Sequence, residues 1–121
     1  MRHLIAAAFT ANLVASPVAA QVIELGVADA RPIFDETSQQ GSVLVRLDRE
    51  GAQAFAKFTR DHLRKPIKIL IDGEVSATPV IREPVVSGSF PISGLTSAKA
   101  ADALSARLAS GQSVLTVAPA N

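Results

Sequence analysis

One hundred and twenty-one residues without a single cysteine, tryptophan or tyrosine fit one small domain that must hold itself by packing aliphatic side chains and a few phenylalanines. Twelve Lys and Arg stand against eleven Asp and Glu. That near balance argues against a general nucleic-acid binder, which needs surplus cations to displace counterions. The missing Trp and Tyr argue against a base-stacking platform.

The chain opens with Arg2 and His3, then an apolar run over 4–14, "LIAAAFTANLV", then "ASPVAA". A short positive start, an apolar stretch of this length and a small-residue end predict a signal peptide at 1–20, cut after Ala20. An uncleaved anchor fits less well, because the run is short for a span and holds Thr10 and Asn12. Processing would leave 21–121, with eleven basic residues against eleven acidic ones, in the periplasm or secreted. No later apolar run has membrane length, so no membrane span is expected after cleavage.

Residues 21–28, "QVIELGVA", read as a strand, and 29–41 as a polar loop broken by Pro32. "SVLVRL" at 42–47 has the β-branched character of a strand. Asp48 is placed to cap a helix over about 49–63, with Ala52, Phe55, Ala56, Thr59 and Leu63 on its apolar stripe. "IKILI" at 67–71 is the most apolar strand. Asp72-Gly73 tolerates the positive φ angles of a two-residue hairpin, with 74–81 as the returning partner. Pro79 cannot donate to a ladder, so that partner belongs at an edge or a bulge. Short extended pieces follow at 85–86 and 90–93. Thr96 or Ser97 caps a second helix bearing Ala100, Ala101, Leu104 and Leu108, and Gly111 suits its C-terminal cap. "SVLTV" at 113–117 closes as a strand, and 119–121 reads as a tail. This order predicts an α+β two-layer sandwich of ferredoxin-like (split β-α-β) type, with a mainly antiparallel sheet and two helices on one face.

Chemistry-bearing groups are sparse. His62 is the one histidine beyond the leader, and its place suits the C-terminus of the first helix better than a general base. With no second histidine and no cysteine there, no zinc site is expected. Asp72 reads as a turn residue, and Asp48 with Glu50 as a helix start. The serines (Ser76, Ser87, Ser89, Ser93, Ser97) lie in no nucleophile motif, and "SGSFPISG" lacks the lysine of a phosphate loop. No enzyme activity, catalytic residue, metal or cofactor is expected. Lys57, Arg60, Arg64, Lys65 and Lys68 cluster with only Asp61 opposing them, either as a solvated face or as a docking patch for an acidic partner or anionic lipid headgroups.

"GAQAFAKFT" followed by "ILIDGEVSATPVIREPVVSGSFPISGLTSAKAADALSARLASG" resembles the head subdomain of the large periplasmic domain of SecD, the accessory subunit of the protein-export translocase. That family has F-x-x-[FL]-T on a helix, here Phe55, Phe58 and Thr59. An apolar strand with a D-G turn follows (Asp72, Gly73), then V-x-[SA]-x-P-x-I (Val75, Ala77, Pro79, Ile81). Gly88, Ile92, Gly94 and Thr96 lead into an Ala/Leu helix that ends at Gly111. The resemblance covers 42–111 and makes 42–118 the head-like domain, with 21–41 as an N-terminal strand and loop. Arg64 stands where the family has a glycine, and Leu95 where it has an aromatic. The base subdomain and membrane helices of SecD are not in these residues, so the resemblance implies the head's role alone: binding polypeptide outside the inner membrane.

Three functional readings follow. A non-catalytic polypeptide-binding module would use Val75, Ala77, Pro79, Ile81, Val85, Phe90 and Ile92 by strand addition. An adaptor of an envelope complex would use the 57–68 basic cluster as its dock. A small-ligand carrier would need a pocket.

Overall fold

The computed structural model describes residues 22–120, so the signal-peptide expectation lies outside the described residues. The elements in chain order are β1 Ile23–Leu25, β2 Val27–Asp35, β3 Gln40–Leu47, α1 Arg49–Asp61, β4 Ile67–Ile71, β5 Glu74–Ala77, β6 Ser89–Leu95, α2 Ala98–Ser110 and β7 Leu115–Pro119. All strand pairs are antiparallel. The result is the α+β sandwich that the element order predicts. Its strands, however, form two sheets, ordered β1-β7-β4-β5 and β2-β3-β6.

The division arises at Gly26, which separates β1 from β2. The start of α1 sits directly on this glycine's backbone: Asp48 N–H donates to the Gly26 carbonyl at 2.9 Å. A Cβ at Gly51 would lie 2.8 Å from the Gly26 oxygen, so both positions need the missing side chain for the approach. The first strand is thereby bent from one sheet into the other. α1 packs against β1 and touches β3, while α2 covers β2 and β3, so each helix serves mainly one sheet.

Residues 29–41, expected as a loop, form a β-hairpin instead. β2 lies at a sheet edge, where Pro32 forfeits no essential ladder bond, and of its residues only Ala30 is buried. Too few apolar residues therefore mark its inward face. The connecting turn is polar and locally bonded: Thr37 N–H donates to Asp35 Oδ1 at 3.0 Å and Gln39 N–H to the Asp35 carbonyl at 2.8 Å. β3 alternates as its sequence requires, burying Gly41, Val43, Val45 and Leu47. The expected tail begins too early: Pro119 ends β7 opposite Ile67, a place where its lack of an N–H is tolerated.

One core joins both sheets and both helices, with Phe55, Leu25, Ile67, Ile92, Leu108, Leu115 and Val117 among its fully buried side chains. Asp48 caps α1, accepting from Gly51 N–H at 2.7 Å. Ser97 caps α2 through Ala100 N–H at 3.0 Å, and Gly111 closes it in the left-handed region. α1 stops at Asp61, so Leu63 leaves the stripe and is exposed, while Phe58 joins Phe55 and Thr59 inside.

Past that helix Arg64 has φ 67°, a left-handed conformation that suits glycine, and its N–H donates to the Ile81 carbonyl at 2.6 Å. The left-handed region costs a side-chain-bearing residue about 1–2 kcal/mol, and the greater freedom of unfolded glycine returns about 0.4–1 kcal/mol of that. Arg64→Gly is therefore expected to stabilise the fold by roughly 0.5–1 kcal/mol, read as a higher urea midpoint. Arg64→Ala, which keeps the strain, should leave the midpoint nearly unchanged.

Candidate functional site

The open side of the molecule is built around the Asp72-Gly73 turn. Both residues have positive φ, 53° and 87°, the pair of angles a type I′ hairpin turn requires. Asp72 also ties the turn to the start of β7. Its carboxylate accepts from Val114 N–H at 2.8 Å and from the Ser113 hydroxyl at 2.9 Å, and Arg107 Nε donates to that same hydroxyl at 3.2 Å. The backbone N–H of Val114 and the Ser113 hydroxyl, aided by the Arg107 charge, hold the Asp72 carboxyl below its ordinary value of 3.8. A depressed folded-state pKa gives stability that is present above the unfolded value and lost as pH falls through the folded one. Relative to Asp72→Asn, the wild type should thus be more stable near neutral pH, and the difference should begin to shrink below about pH 4 and be gone only below the still lower folded-state value. Urea melts across pH read this directly.

From the turn, β5 returns along β4 with a register shift between Ile69 and Leu70. It ends the four-stranded sheet, and its residues are exposed apart from half-buried Ala77. Among the described residues β4 is the one strand that β5 pairs with. Beyond it Pro79 lies at the same edge, its carbonyl accepting from Ile67 N–H at 3.0 Å. Residues 82–88 then cross to β6, itself the edge of the other sheet.

This crossing is held by Thr59. The hydroxyl is fully buried, donates to the Phe55 carbonyl at 2.9 Å and accepts from Val85 N–H at 2.9 Å, twenty-six residues away. The two phenylalanines of the helix motif lie in the core, with the Phe55 and Phe90 rings 5.0 Å apart. The F-x-x-F-T motif is thus a device for seating α1 and pinning the segment that joins the two open edges.

Of the seven residues expected to meet a polypeptide, Ile81, Phe90 and Ile92 have buried side chains. They belong to the core because each faces inward, and they are corrected to a supporting role. Val75 is 53 % exposed, and Ala77, Pro79 and Val85 are half-buried. The site therefore narrows to the β5 edge and the strand end beyond it. Of the basic cluster, Lys57, Arg60, Arg64 and Lys65 are exposed and Lys68 is half-buried. Lys57 is paired with Asp61 at 3.0 Å, an exposed ion pair of little energetic weight. His62 stacks on Phe58, with 4.2 Å between ring centroids, and its Nδ1–H donates to the Phe58 carbonyl at 2.8 Å, which closes the helix end.

Among the described residues no group of three or more His, Cys, Asp or Glu could hold a metal, and no helix is long and apolar enough to cross a membrane. Among the described residues, the cavity beside Asp72 and Glu74 holds about 280 Å³ and the one beside Leu25 and Leu115 about 160 Å³, both below the ~300–1,000 Å³ usual for small-molecule sites. Two functional details escaped the sequence: the Thr59 tether and the Asp72–Ser113–Arg107 stitch. A hydroxyl on the apolar stripe of α1 was the available signal for the first, since a buried hydroxyl requires a partner. The second spans forty-one residues and left no local mark.

Among the described residues the fold is a small α+β module with an exposed sheet edge at β5. Comparison with known proteins gives the family. The model of the SecDF P1 head subdomain matches residues 7–113, and the chain belongs to that family. It is 36 % identical over 85 residues to the protein translocase subunit SecDF of Thermus thermophilus, covering 70 % of this chain and 11 % of that protein. To the SecD subunit of Desulfurispirillum indicum it is 40 % identical over 83 residues, covering 69 % and 16 %. A solved structure described as "Structure and function of a membrane component SecDF that enhances protein export" superposes with TM-score 0.64 at 35 % identity, over 70 % of this chain and 38 % of that one. The chain thus spans a small part of the relatives it matches.

Proposed function

We propose that this chain is a non-catalytic module that binds polypeptide in extended form and assists protein export. It would act in the periplasm after removal of a leader ending at Ala20. The observation that carries this reading is the exposed β5 edge, whose unpaired backbone can take one more antiparallel or parallel strand. Membership of the SecDF head family supports the link to export, since a related structure is described as that of a component enhancing it. The partner is then a polypeptide or envelope protein, with strand-to-strand hydrogen bonds supplying affinity and exposed side chains such as Val75 supplying selectivity. Titration with an unfolded polypeptide, followed by backbone NMR, tests it. Amide signals of Glu74–Ala77 and of residues 78–86 should move. Saturating polypeptide that leaves all of them in place overturns the reading.

A further inference from the structure

Charge is segregated along the open edge. Within 57–68 five basic residues face Asp61 alone, whereas the rest of the described chain carries ten acidic residues and six basic ones. The backbone brings the 64–67 part of this stretch, with Arg64 and Lys65, to one end of the β5 edge. Past Ala77 the chain runs beside 64–67: Pro66 bridges Val80, Ile81 N–H donates to the Lys65 carbonyl at 3.1 Å, and Arg64 N–H donates to the Ile81 carbonyl. Arg82 follows directly, with Glu83 after it, so Arg64, Lys65 and Arg82 outnumber one carboxylate at this corner. At the other end stand Asp72 and Glu74, beside a cavity of about 280 Å³ whose lining includes Val75, Leu104 and Arg107. The edge therefore runs from an end where Asp72 and Glu74 outnumber Arg107 to an end with an excess of cations, with Val75 and Val80 exposed along it at 53 % and 48 %. Pro79 turns its carbonyl toward Ile67, so its missing N–H falls on the side already paired with β4 and does not interrupt the outer side at Val80. Arg64 holds its charge at this corner in a conformation that favours glycine, which is backbone strain retained at a site.

We infer that the segment this edge accepts is an extended, apolar-centred polypeptide carrying acidic residues where it passes the Arg64–Lys65–Arg82 corner. This rests on the edge-binding reading above. Complementary charge would orient the segment and set its register, while the backbone ladder holds it.

The test uses the full 121-residue chain and three synthetic peptides sharing a short Thr/Val core and ending in a run of glutamate, serine or lysine. Affinity is read by fluorescence anisotropy, and the contact by amide shifts at Glu74–Ala77. The glutamate peptide should bind roughly three- to tenfold tighter than the serine peptide at low salt, with the lysine peptide weakest. The preference should shrink with added salt. It should fall in Arg64→Gly, which relieves strain and so stays folded, and in Lys65→Glu. Equal affinity of the three peptides with β5 amides still moving overturns the charge selection and leaves edge binding standing. Failure of every peptide to move β5 amides overturns edge binding itself. Phosphatidylglycerol vesicles shifting only the amides of 60–68 would assign the corner to a membrane surface and overturn the inference.

Discussion

Phe55→Ala should cost about 3–5 kcal/mol, a large part of the ~5–15 kcal/mol that holds a typical domain. Phe55 is 2 % exposed, sits at the middle of α1 and packs its ring against Phe90 of the opposite sheet. It is therefore the side chain through which α1 and the β2-β3-β6 sheet share one core. Truncation leaves a cavity beside Phe90 in the close-packed core, which can relax only in part. Urea denaturation should show a much lower midpoint with the slope preserved. A loss below about 1.5 kcal/mol, the range of a volume-conserving swap, would mean that the two layers do not depend on this contact.

Thr59→Val should cost about 1–2 kcal/mol although it keeps side-chain volume and shape, because it leaves the Val85 N–H without its acceptor. Thr59→Ser keeps the hydroxyl and loses one methyl, about 0.8 kcal/mol of burial. The order wild type, Ser, Val separates a hydrogen-bond role from a packing role. A local readout sharpens the distinction: the Val85 amide should exchange faster in Thr59→Val by more than the global loss of stability accounts for. Since Thr59 pins residues 82–88 between the two open edges, the same variant should weaken polypeptide binding at β5. Thr59→Val as stable as wild type, with Val85 exchange unchanged, would refute the tether.

Much of this fold was readable from local chemistry. Asp48, Ser97 and Gly111 sit at the caps their residue types suggest, and Asp72-Gly73 makes the hairpin turn that its tolerance of positive φ allows. What misled was the region where tertiary context outweighed local pattern. Residues 29–35 have one buried side chain and a proline, so nothing in their alternation announced a strand; β2 exists because β3 offers it a paired edge. The division into two sheets depends on the contact of Gly26 with Asp48 and Gly51, more than twenty residues apart in sequence. The candidate site was legible in part. Pro79 and the short strand before it pointed to an edge, which the topology places at the end of the four-stranded sheet. Inward and outward residues are not separable by sequence beyond β5, because residues 78–88 are irregular and follow no fixed period, and buried Ile81 stands beside exposed Val80 and Arg82.

Arg64 links the stability of the fold to the proposed charge selection at the β5 edge. Its replacement by glycine should make the domain more stable while weakening attraction for acidic segments at the corner it shares with Lys65 and Arg82. Such opposed effects are the ordinary signature of strain kept at a working surface.

Amide hydrogen exchange on the full chain, with and without a permanently unfolded polypeptide, bears most directly on the β5 edge as a strand acceptor. Bound polypeptide should slow exchange at Glu74–Ala77, as new ladder bonds form along β5. Complex formation with exchange at β5 unaltered would place the contact elsewhere and contradict strand addition as the mode of binding.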